Sequence, residues 1–425
     1  AKSSKAITNV LWNFSAMYNR YNAISYNEFY GKDINNVLRY GHVGQFFTTK
    51  ERSYQQGQYD LNGVTQTAMI QNSWRDVVNI DEFIPSQYNP VLANYNLQLA
   101  SIAELKPYLI NFDYLQQFKG IINGGYPGSI YGLLNNVGVQ SGSYSKQENN
   151  YFYGQIKAAA TIMGKHDVEI GFQYDQYTSA YYSLSAHSLW TIMRQNANAH
   201  ISQLDFSNPN TYELDGTLYV DYDRLVGGGQ TAFDASLRQA LGAADNEWLD
   251  VDRYTPDWYV NAAQQMGLDN VMGMFSASDL FNSYNTLVGY YGYDHTGAKY
   301  NNKNWSLDDF FDPVTMGHAN YQYRPVFSPI YMAGYIQDKF YFQDLIFNVG
   351  VRVDYYDANQ YVLKDPYLLY DSYTVGDLRN SDIAYNTGLA NNAFANAAQD
   401  DWVVYVDDAG ATTPTIRGYR SGSTW

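Results

Sequence analysis

The sequence predicts an all-β fold, an antiparallel transmembrane β-barrel with a large, partly helical extracellular insertion. Three observations lead to this prediction. Segments in which apolar and polar residues alternate recur along the chain, several run for ten or more residues, and aromatic residues crowd their ends. A strand needs about 9–11 residues to cross a bilayer. An apolar outer face, a polar inner face and aromatic girdles are typical of barrels that cross membranes.

The composition agrees with a structured, aromatic protein. The chain has 425 residues, of which 44 are tyrosine, none is cysteine and only 16% are charged, with a formal charge of −16. This balance argues against disorder, which goes with few aromatics and much charge. A mean hydropathy of −0.43 argues against membrane-spanning helices. The missing cysteines exclude disulfides and thiolate metal sites, and the acidic charge argues against a nucleic-acid partner.

The first predicted strand lies near the start of the chain. Its apolar face would carry alternate residues, which are Val10, Trp12, Phe14, Ala16 and Tyr18. The clearest hairpin spans residues 151–178, with Ile156 and Ala158 on the apolar face of the first arm and a turn at Gly164-Lys165-His166. These long arms and the tight turn fit a barrel better than a soluble sandwich, whose strands are usually shorter.

A second hairpin is predicted over residues 331–358, with its turn at Phe342-Gln343-Asp344. Its return arm alternates clearly, because Val349, Val351 and Val353 fall on one face. The charged and amide residues of both hairpins should then face the lumen, since charge on the lipid side is costly. These residues are Lys157, Glu169, Gln173, Asp175, Arg352 and Asp354.

Between the hairpins, residues 186–323 show helical patterns instead of alternation. Thr255-Pro256-Asp257 predicts a helix that ends at Gly267, and residues 231–241 predict another that ends at Gly242. So long a stretch should lie outside the membrane as an extracellular cap. The chain is therefore divided into barrel strands and loops at 1–185, the insertion at 186–323, and further strands and loops at 324–425. Residues 51–128 are interpreted as irregular.

Several phrases resemble those of a known family. Residues 165–174 (KHDVEIGFQY) and 333–356 (AGYIQDKFYFQDLIFNVGVRVDYY) are similar to strands of TonB-dependent outer-membrane receptors, as are 291–297 (YGYDHTG) and 306–311 (SLDDFF). Together they resemble the receptors of the Bacteroidota branch. The resemblance implies a 22-stranded barrel in the bacterial outer membrane, of which this chain would be an interior fragment without its plug domain.

The resemblance also implies a function, which is active uptake of a small nutrient ligand across the outer membrane. The implied partners are outer-membrane lipid, TonB through a missing N-terminal part, and a surface lipoprotein. Two alternatives stay open. One is a passive porin or a structural barrel within a surface complex, and the other is a surface adhesin or ligand-binding β-protein with no membrane span.

The sequence offers little for catalysis, and we expect no enzyme. Metal-ligand spacing is absent around His187, His200, His295 and His318, so these histidines are interpreted as polar loop residues. The phosphate-loop pattern is absent too, and the paired Asp308 and Asp309 are typical of a helix start.

Cofactors are also not expected, with one exception. A calcium ion could bind an acidic extracellular loop at Asp250, Asp252 and Asp257, although these residues do not meet the EF-hand pattern. The alternative is that they lie in a solvated loop.

Aromatic residues in the insertion are the candidate ligand-binding residues. They lie among Asp and Asn, a combination that suits sugar or peptide ligands. They are Trp248, Trp258, Tyr290, Tyr291, Tyr293 and Trp305. The alternative is that these rings form the small core of the insertion.

Overall fold

The computed structural model describes residues 6–72, 76–102, 104, 111–129, 131–135, 137–282, 285–300, 305–311, 322–362, 367, 373–379, 399–407, 415–422 and 424. The chain divides into two compact units, Ala1–Ala358 and Asn359–Trp425. This division does not coincide with the boundaries expected at 185/186 and 323/324. His318 lies outside the described residues.

The strands of both units follow in chain order. They are β1 (Ile7–Ser25), β2 (Gly44–Glu51), β3 (Tyr54–Leu61), β4 (Val64–Gln71), β5 (Val77–Pro85), β6 (Ser143–Ile162), β7 (His166–Ser185), β8 (Gln203–Leu214), β9 (Thr217–Leu225), β10 (Phe281–Asn282), β11 (Asn285–Thr286), β12 (Val288–Tyr291), β13 (Ile330–Phe342), β14 (Leu345–Asp357), β15 (Tyr373–Thr374), β16 (Val403–Val406) and β17 (Ile416–Arg420).

The helices are all shorter than the strands of the main hairpins. They are α1 (Pro90–Ser101), α2 (Phe112–Gln117), α3 (Leu189–Asn196), α4 (Ala232–Leu241), α5 (Pro256–Gln265), α6 (Ala277–Leu280), α7 (Leu307–Phe311) and α8 (Val375–Arg379), with 3-10 turns at Ile34–Arg39, Ala186–Ser188, Ala199–Ile201, Val251–Arg253 and Val271–Met274. Within the described part of the chain, none of the helices has the length and apolar character to span a bilayer.

The main sheet contains the longest strands, in the order β1-β6-β7-β13-β14, and every neighbouring pair is antiparallel. The short strand β12 adds to the far end of β7. The predicted strand-rich, antiparallel fold is thus confirmed. As described, this sheet is open, with β1 and β14 at its two edges.

Both predicted hairpins are confirmed, and the first is longer than the sequence pattern indicated, whereas the second has the predicted extent. The arms of the first, β6 and β7, each have 20 residues. In the second, β13 and β14 each have 13. The first strand also runs well past its predicted end. A register shift between Thr8 and Leu11 interrupts its alternation beside Val10, where Asn9 has a φ of 53°.

The connections of the main sheet differ sharply between its two ends. At one end β6 turns into β7 within three residues and β13 into β14 within two. At the other end, residues 26–142 join β1 to β6, and residues 186–329 join β7 to β13. We call these two long connections together the cap. Their shared end follows from the register, since Ser25 and Ser185 pair with Ser145 and Ser143.

The interpretation of residues 51–128 as irregular is wrong. They contain the hairpin of β3 and β4, the strand β5 and two helices. Strand β4 pairs in parallel with β9 of the second connection, which gives a four-stranded sheet ordered β3-β4-β9-β8. The two connections therefore share one sheet, and the cap is a single structure made from both.

The predicted helices of the second connection are confirmed. Thr231 and Thr255 cap α4 and α5 through their hydroxyls, and Gly242 and Gly267 follow with φ of 64° and 75°, a region that favours glycine. The hairpin of β8 and β9 was not predicted. In this connection the chain is therefore partly helical and partly extended.

The cap has an apolar core that draws on both connections and on the far ends of β6 and β7. Buried members include Leu38 from the first connection, Trp190 and Phe233 from the second, and Tyr144 and Tyr182 from the two strands. The second unit has its own small core of Val375, Leu378 and Val404, where α8 packs against the sheet of β15, β16 and β17.

Candidate functional site

One face of the main sheet is apolar and open to its surroundings. Residues that pair across strands share a face, so the register assembles rows such as Phe14, Ile156, Phe172 and Val353. Twelve large side chains of this face are 44–75% exposed. They are Trp12, Phe14, Tyr18, Phe152, Ile156, Ile170, Phe172, Ile336, Val349, Val351, Val353 and Tyr355. So large a continuous apolar surface marks an interaction site.

We call this surface the apolar band, and its height can be derived from the register. Its last row toward the cap contains Tyr18 and Phe152, and its last row toward the turns contains Ile162, His166 and Phe340. The row before this last one contains Asp338, whose carboxylate lies 2.6 Å from His166 Nδ1, so the turn end of the band carries a polar pair. Ten residues of β6 separate the two last rows, which is about 33 Å along the strand. At a strand tilt of about 45° the band would be about 23 Å tall.

The opposite face of the sheet is polar. The register places all six residues predicted to share that face on it, from Lys157 and Glu169 to Arg352 and Asp354. The Tyr335 hydroxyl donates to Glu169 Oε1 at 2.5 Å, and Arg352 Nε donates to Asp354 at 2.9 Å. Arg352 Nη2 also donates across strands to the Tyr331 hydroxyl at 2.9 Å, so cross-strand contacts connect the side chains of the polar face into an ordered network.

Where the apolar band meets the cap, charged residues replace apolar ones on the same face. Arg20 lies two residues beyond Tyr18 on β1, and Glu148 lies on β6 in the next row. Glu148 contacts Arg20 Nη2 at 3.4 Å and Lys299 Nζ at 2.8 Å. The sequence analysis missed this cluster. Alternation could have placed Arg20 beside the band, but nothing local could have brought Lys299 to it.

Inside the cap, ion pairs are buried. Asp234 is fully buried and accepts from Arg238 Nε at 2.8 Å, while His200 Nδ1 lies 3.4 Å from the same carboxylate. Asn198 adds its backbone amide at 2.7 Å. Burial opposes the charge on Asp234, but the hydrogen bonds of Arg238 and Asn198 hold the pKa of this carboxyl below its usual value.

The three carboxylates considered for calcium have separate protein partners. Asp252 is buried and accepts from Arg194 at 2.8 Å, Asp257 accepts from Arg39 at 2.9 Å, and Asp250 accepts from the Thr48 hydroxyl. They hold the second connection to the first or to α3. Within the described residues no group of three or more His, Cys, Asp or Glu side chains is arranged to hold a metal ion.

His187, His200 and His295 lie in turns, as expected for polar loop residues, but they are buried. His187 is 1% exposed and its ring nitrogens lie 3.1 and 2.9 Å from the carbonyls of Tyr40 and Gly125. His200 and His295 are buried as well, at 6% and 1% exposed. Burial lowers the pKa of His187 and His295, and lowers that of His42 to about 3, so these rings are neutral. Their role is to join segments of the cap.

The six candidate aromatic residues do not form one site. Tyr290 and Tyr293 are 1% and 8% exposed and belong to the cap core, which agrees with the alternative that these rings form the core of the insertion. Trp258 is half-buried and stacks on Tyr254 at 4.2 Å. Trp305 is half-buried as well, and its Nε1 donates to the carbonyl of Tyr323 at 2.8 Å. Tyr291 remains exposed, at 46%.

Trp248 contacts two cations from different parts of the chain. Lys50 Nζ lies 4.4 Å and the Arg224 guanidinium 4.2 Å from its ring centroid. Burial lowers the pKa of Lys50 to about 8, against the opposite effect of Asp250 and Asp76. The indole thus holds β2 and β9 together through cation–π contacts.

No family model matches the sequence, and neither a curated protein nor a solved structure matches it.

Proposed function

We propose that this chain forms part of an outer-membrane β-barrel that takes up a nutrient ligand with energy delivered by TonB. The observation that supports this most is the two-faced main sheet. An apolar band about 23 Å tall, with aromatic residues at both ends, approaches the apolar zone of about 25 Å on barrels that cross outer membranes.

The asymmetry of the connections supports the same proposal. Barrels of this kind have short periplasmic turns and long extracellular loops. The tight turns of both hairpins would lie in the periplasm, and the cap would cover the outer mouth. Its exposed residues, Tyr291 among them, would meet the ligand or a surface lipoprotein. The open edges of β1 and β14 would pair with further strands, because lipid offers no hydrogen-bond partners to the unpaired backbone groups of an edge strand.

The membrane part of the proposal is tested by accessibility along β14. Single cysteines replace residues from Val349 to Tyr355 in the whole protein, in its native membrane and in a background without other cysteines, and each carries a nitroxide. Odd-numbered sites such as Val351 and Val353 should be reached by oxygen, which dissolves in lipid. Even-numbered sites such as Arg352 should be less accessible to oxygen, so that accessibility alternates along β14 with a period of two residues.

The matched pair is Val353→Cys and Arg352→Cys, since these neighbours differ mainly in the face they occupy. Equal access of a water-soluble nickel chelate to both would contradict a lipid-facing band. It would favour the alternative of a surface β-protein with no membrane span.

The transport part of the proposal needs a separate measurement. The measurement compares the growth of strains that lack this gene, TonB or both. Each culture receives maltooligosaccharides, casein peptides or ferric citrate as its limiting nutrient. We expect one nutrient on which the gene deletion and the TonB deletion cause the same defect, with no further loss in the double deletion. A defect on gene deletion that TonB deletion does not reproduce would favour the passive porin.

A further inference from the structure

The boundary between the apolar band and the cap carries a pair of exposed cations. Arg20 follows Tyr18 on the apolar face of β1, about 7 Å further along the strand. Lys299 reaches the same place from the second connection and contacts Glu148. Under the proposed function, on which this inference rests, these residues stand at the level of the lipid headgroups.

The geometry of the cluster turns positive charge outward. Glu148 is only 14% exposed, whereas the side chains of Arg20 and Lys299 are 51% and 40% exposed. The carboxylate contacts one cation with each oxygen, at 3.4 Å for Arg20 and 2.8 Å for Lys299. It therefore lies beneath the two cations and holds them side by side, and the three groups sum to one positive charge.

A third cation nearby turns the other way. Lys146 lies two residues from Glu148 on the same face, but its Nζ donates to the carbonyl of Gly297 at 2.9 Å. It also lies 5.9 Å from the ring centroids of both Tyr144 and Tyr182. Asp33 and Asp294 are close enough to act on its charge. Lys146 is thus compensated within the cap, and it leaves the outward face to Arg20 and Lys299.

The two outward cations have the chemistry of an anion site. A guanidinium has five N–H donors and an ammonium has three, and Glu148 contacts a single nitrogen of each. Arg20 Nε also faces the Asn22 amide at 3.1 Å, and the donors that remain suit an oxyanion with several acceptors. Phosphate is such an anion, and both arginine and lysine recognise it. In a chain of net charge −16, a positive cluster beside the apolar band opposes the overall charge.

We propose that Arg20 and Lys299, positioned by Glu148, bind the phosphate of an anionic lipid headgroup at the cap end of the apolar band. The acyl chains of this lipid would lie along the band beside Tyr18 and Phe152. The site would fix the height of the sheet in the membrane.

The test uses the full-length protein in detergent, with phosphatidylglycerol and phosphatidylcholine titrated separately and bound lipid counted by native mass spectrometry. The wild type should retain phosphatidylglycerol in preference. Arg20→Gln or Lys299→Gln should weaken its binding about tenfold, the effect of one lost charge-assisted hydrogen bond. Binding of phosphatidylcholine should not change. The matched control is Lys157→Gln, which removes a cation from the polar face of β6 and should leave both lipids unaffected.

Three outcomes would overturn the inference. Phosphatidylglycerol binding that survives the double substitution would do so, as would an equal loss in Lys157→Gln. Inorganic phosphate that competes as well as the lipid would show a site for the free ion. Both variants retain the band, so their thermal midpoints should match the wild type, and a variant that unfolds is replaced by Arg20→Lys, for which a smaller loss is expected. A protein that carbonate extracts from the membrane would instead contradict the proposed function.

Discussion

The buried ion pair of Asp234 and Arg238 should contribute strongly to the stability of the cap. Their side chains are 0% and 4% exposed, and the carboxylate also serves the amide of Asn198. Removing one member of a buried pair leaves the other charge without compensation. That is far more costly than losing a pair at the surface.

Asp234→Ala should therefore destabilise the cap by about 3–5 kcal/mol. The change can be measured by urea unfolding, followed by the fluorescence of the cap tryptophans. The control is Glu213→Gln on the exposed strand β8, which should shift the unfolding free energy by less than about 0.5 kcal/mol. Equal effects of the two substitutions would contradict the burial of this pair.

His42 makes the stability of the cap depend on pH. Its pKa is about 3 in the folded state because of burial, against 6.5 for a free histidine. Below pH 6.5 the unfolded chain takes up a proton that the folded cap does not. The free energy of unfolding should then fall by about 1.4 kcal/mol for each unit by which the pH is lowered below 6.5. His187 and His295 act in the same direction.

The measurement is the slope of unfolding free energy against pH between neutral and mildly acidic solution. His42→Gln should reduce this slope by about 1.4 kcal/mol per pH unit, the contribution of one proton, whatever the substitution does to stability at neutral pH. A slope identical to that of the wild type would show that His42 is protonated in the folded cap.

For single residues, the sequence predicted which face of the sheet a strand residue occupies, but it did not settle which residues of the cap are buried. Alternation placed Lys157 and Arg352 on the correct face, because a strand has only two. For Tyr290 and Tyr293 the sequence left open a ligand-binding role or a place in the core of the insertion, because their burial comes from segments far away in the chain. No local pattern can report that.

Among the elements, strand β7 has one especially tight contact. The ring of Tyr335 lies across Gly171, its partner on the polar face, so that a Cβ at residue 171 would stand 2.3 Å from the ring. Covering a glycine with a cross-strand ring places the Tyr335 hydroxyl on Glu169, two residues away.

Gly171→Ala should displace Tyr335 and destabilise the sheet by about 1–3 kcal/mol. The matched control is Gly154→Ala on the opposite face of β6, where the nearest atom to a new Cβ is 3.6 Å away. Urea unfolding in lipid vesicles measures both. The prediction fails should Gly154→Ala prove the more damaging of the two.

The band itself predicts an asymmetry between adjacent residues of β6. Ile156→Arg would place a cation near the middle of the apolar band, at a cost of about 2–4 kcal/mol in lipid. Gln155→Arg, one residue away on the polar face, should be tolerated. The yield of folded protein and its unfolding free energy in vesicles compare the two. Equal tolerance would mean that this face does not contact lipid.

Some elements were missed although the sequence contained a usable signal. The hairpin of β3 and β4 turns at Asn62-Gly63 and that of β8 and β9 at Asp215-Gly216, both with positive φ. Asn-Gly and Asp-Gly are strong hairpin signals. The flanking strands are polar on both faces, as in residues 54–61 (YQQGQYDL), so alternation gave no indication of them.

In the molecule as a whole, the cap depends on both connections at once. Strands β4 and β9 pair across them, and Asn123 of the first donates to Asp252 of the second at 2.9 Å. Leu38 and Phe233 lie in one continuous core. The cap should therefore loosen as one unit, whichever connection is weakened.

Leu38→Ala and Phe233→Ala should each destabilise the cap by about 2–5 kcal/mol. Hydrogen exchange should rise in both connections for either substitution. The controls are Leu133→Ala and Leu214→Ala, whose side chains are 80% and 53% exposed and which should change exchange only nearby. Faster exchange confined to the substituted connection would contradict a shared core.

The composite cap also constrains the order of folding. The contact between Arg39 and Asp257 closes a loop of 218 residues, and the whole hairpin of β6 and β7 lies inside it. Tight hairpins form within microseconds, whereas closing a loop of this length is entropically costly and slow. The hairpins should form first. The first connection should stay incompletely folded until the second connection reaches the same end of the sheet and packs against it.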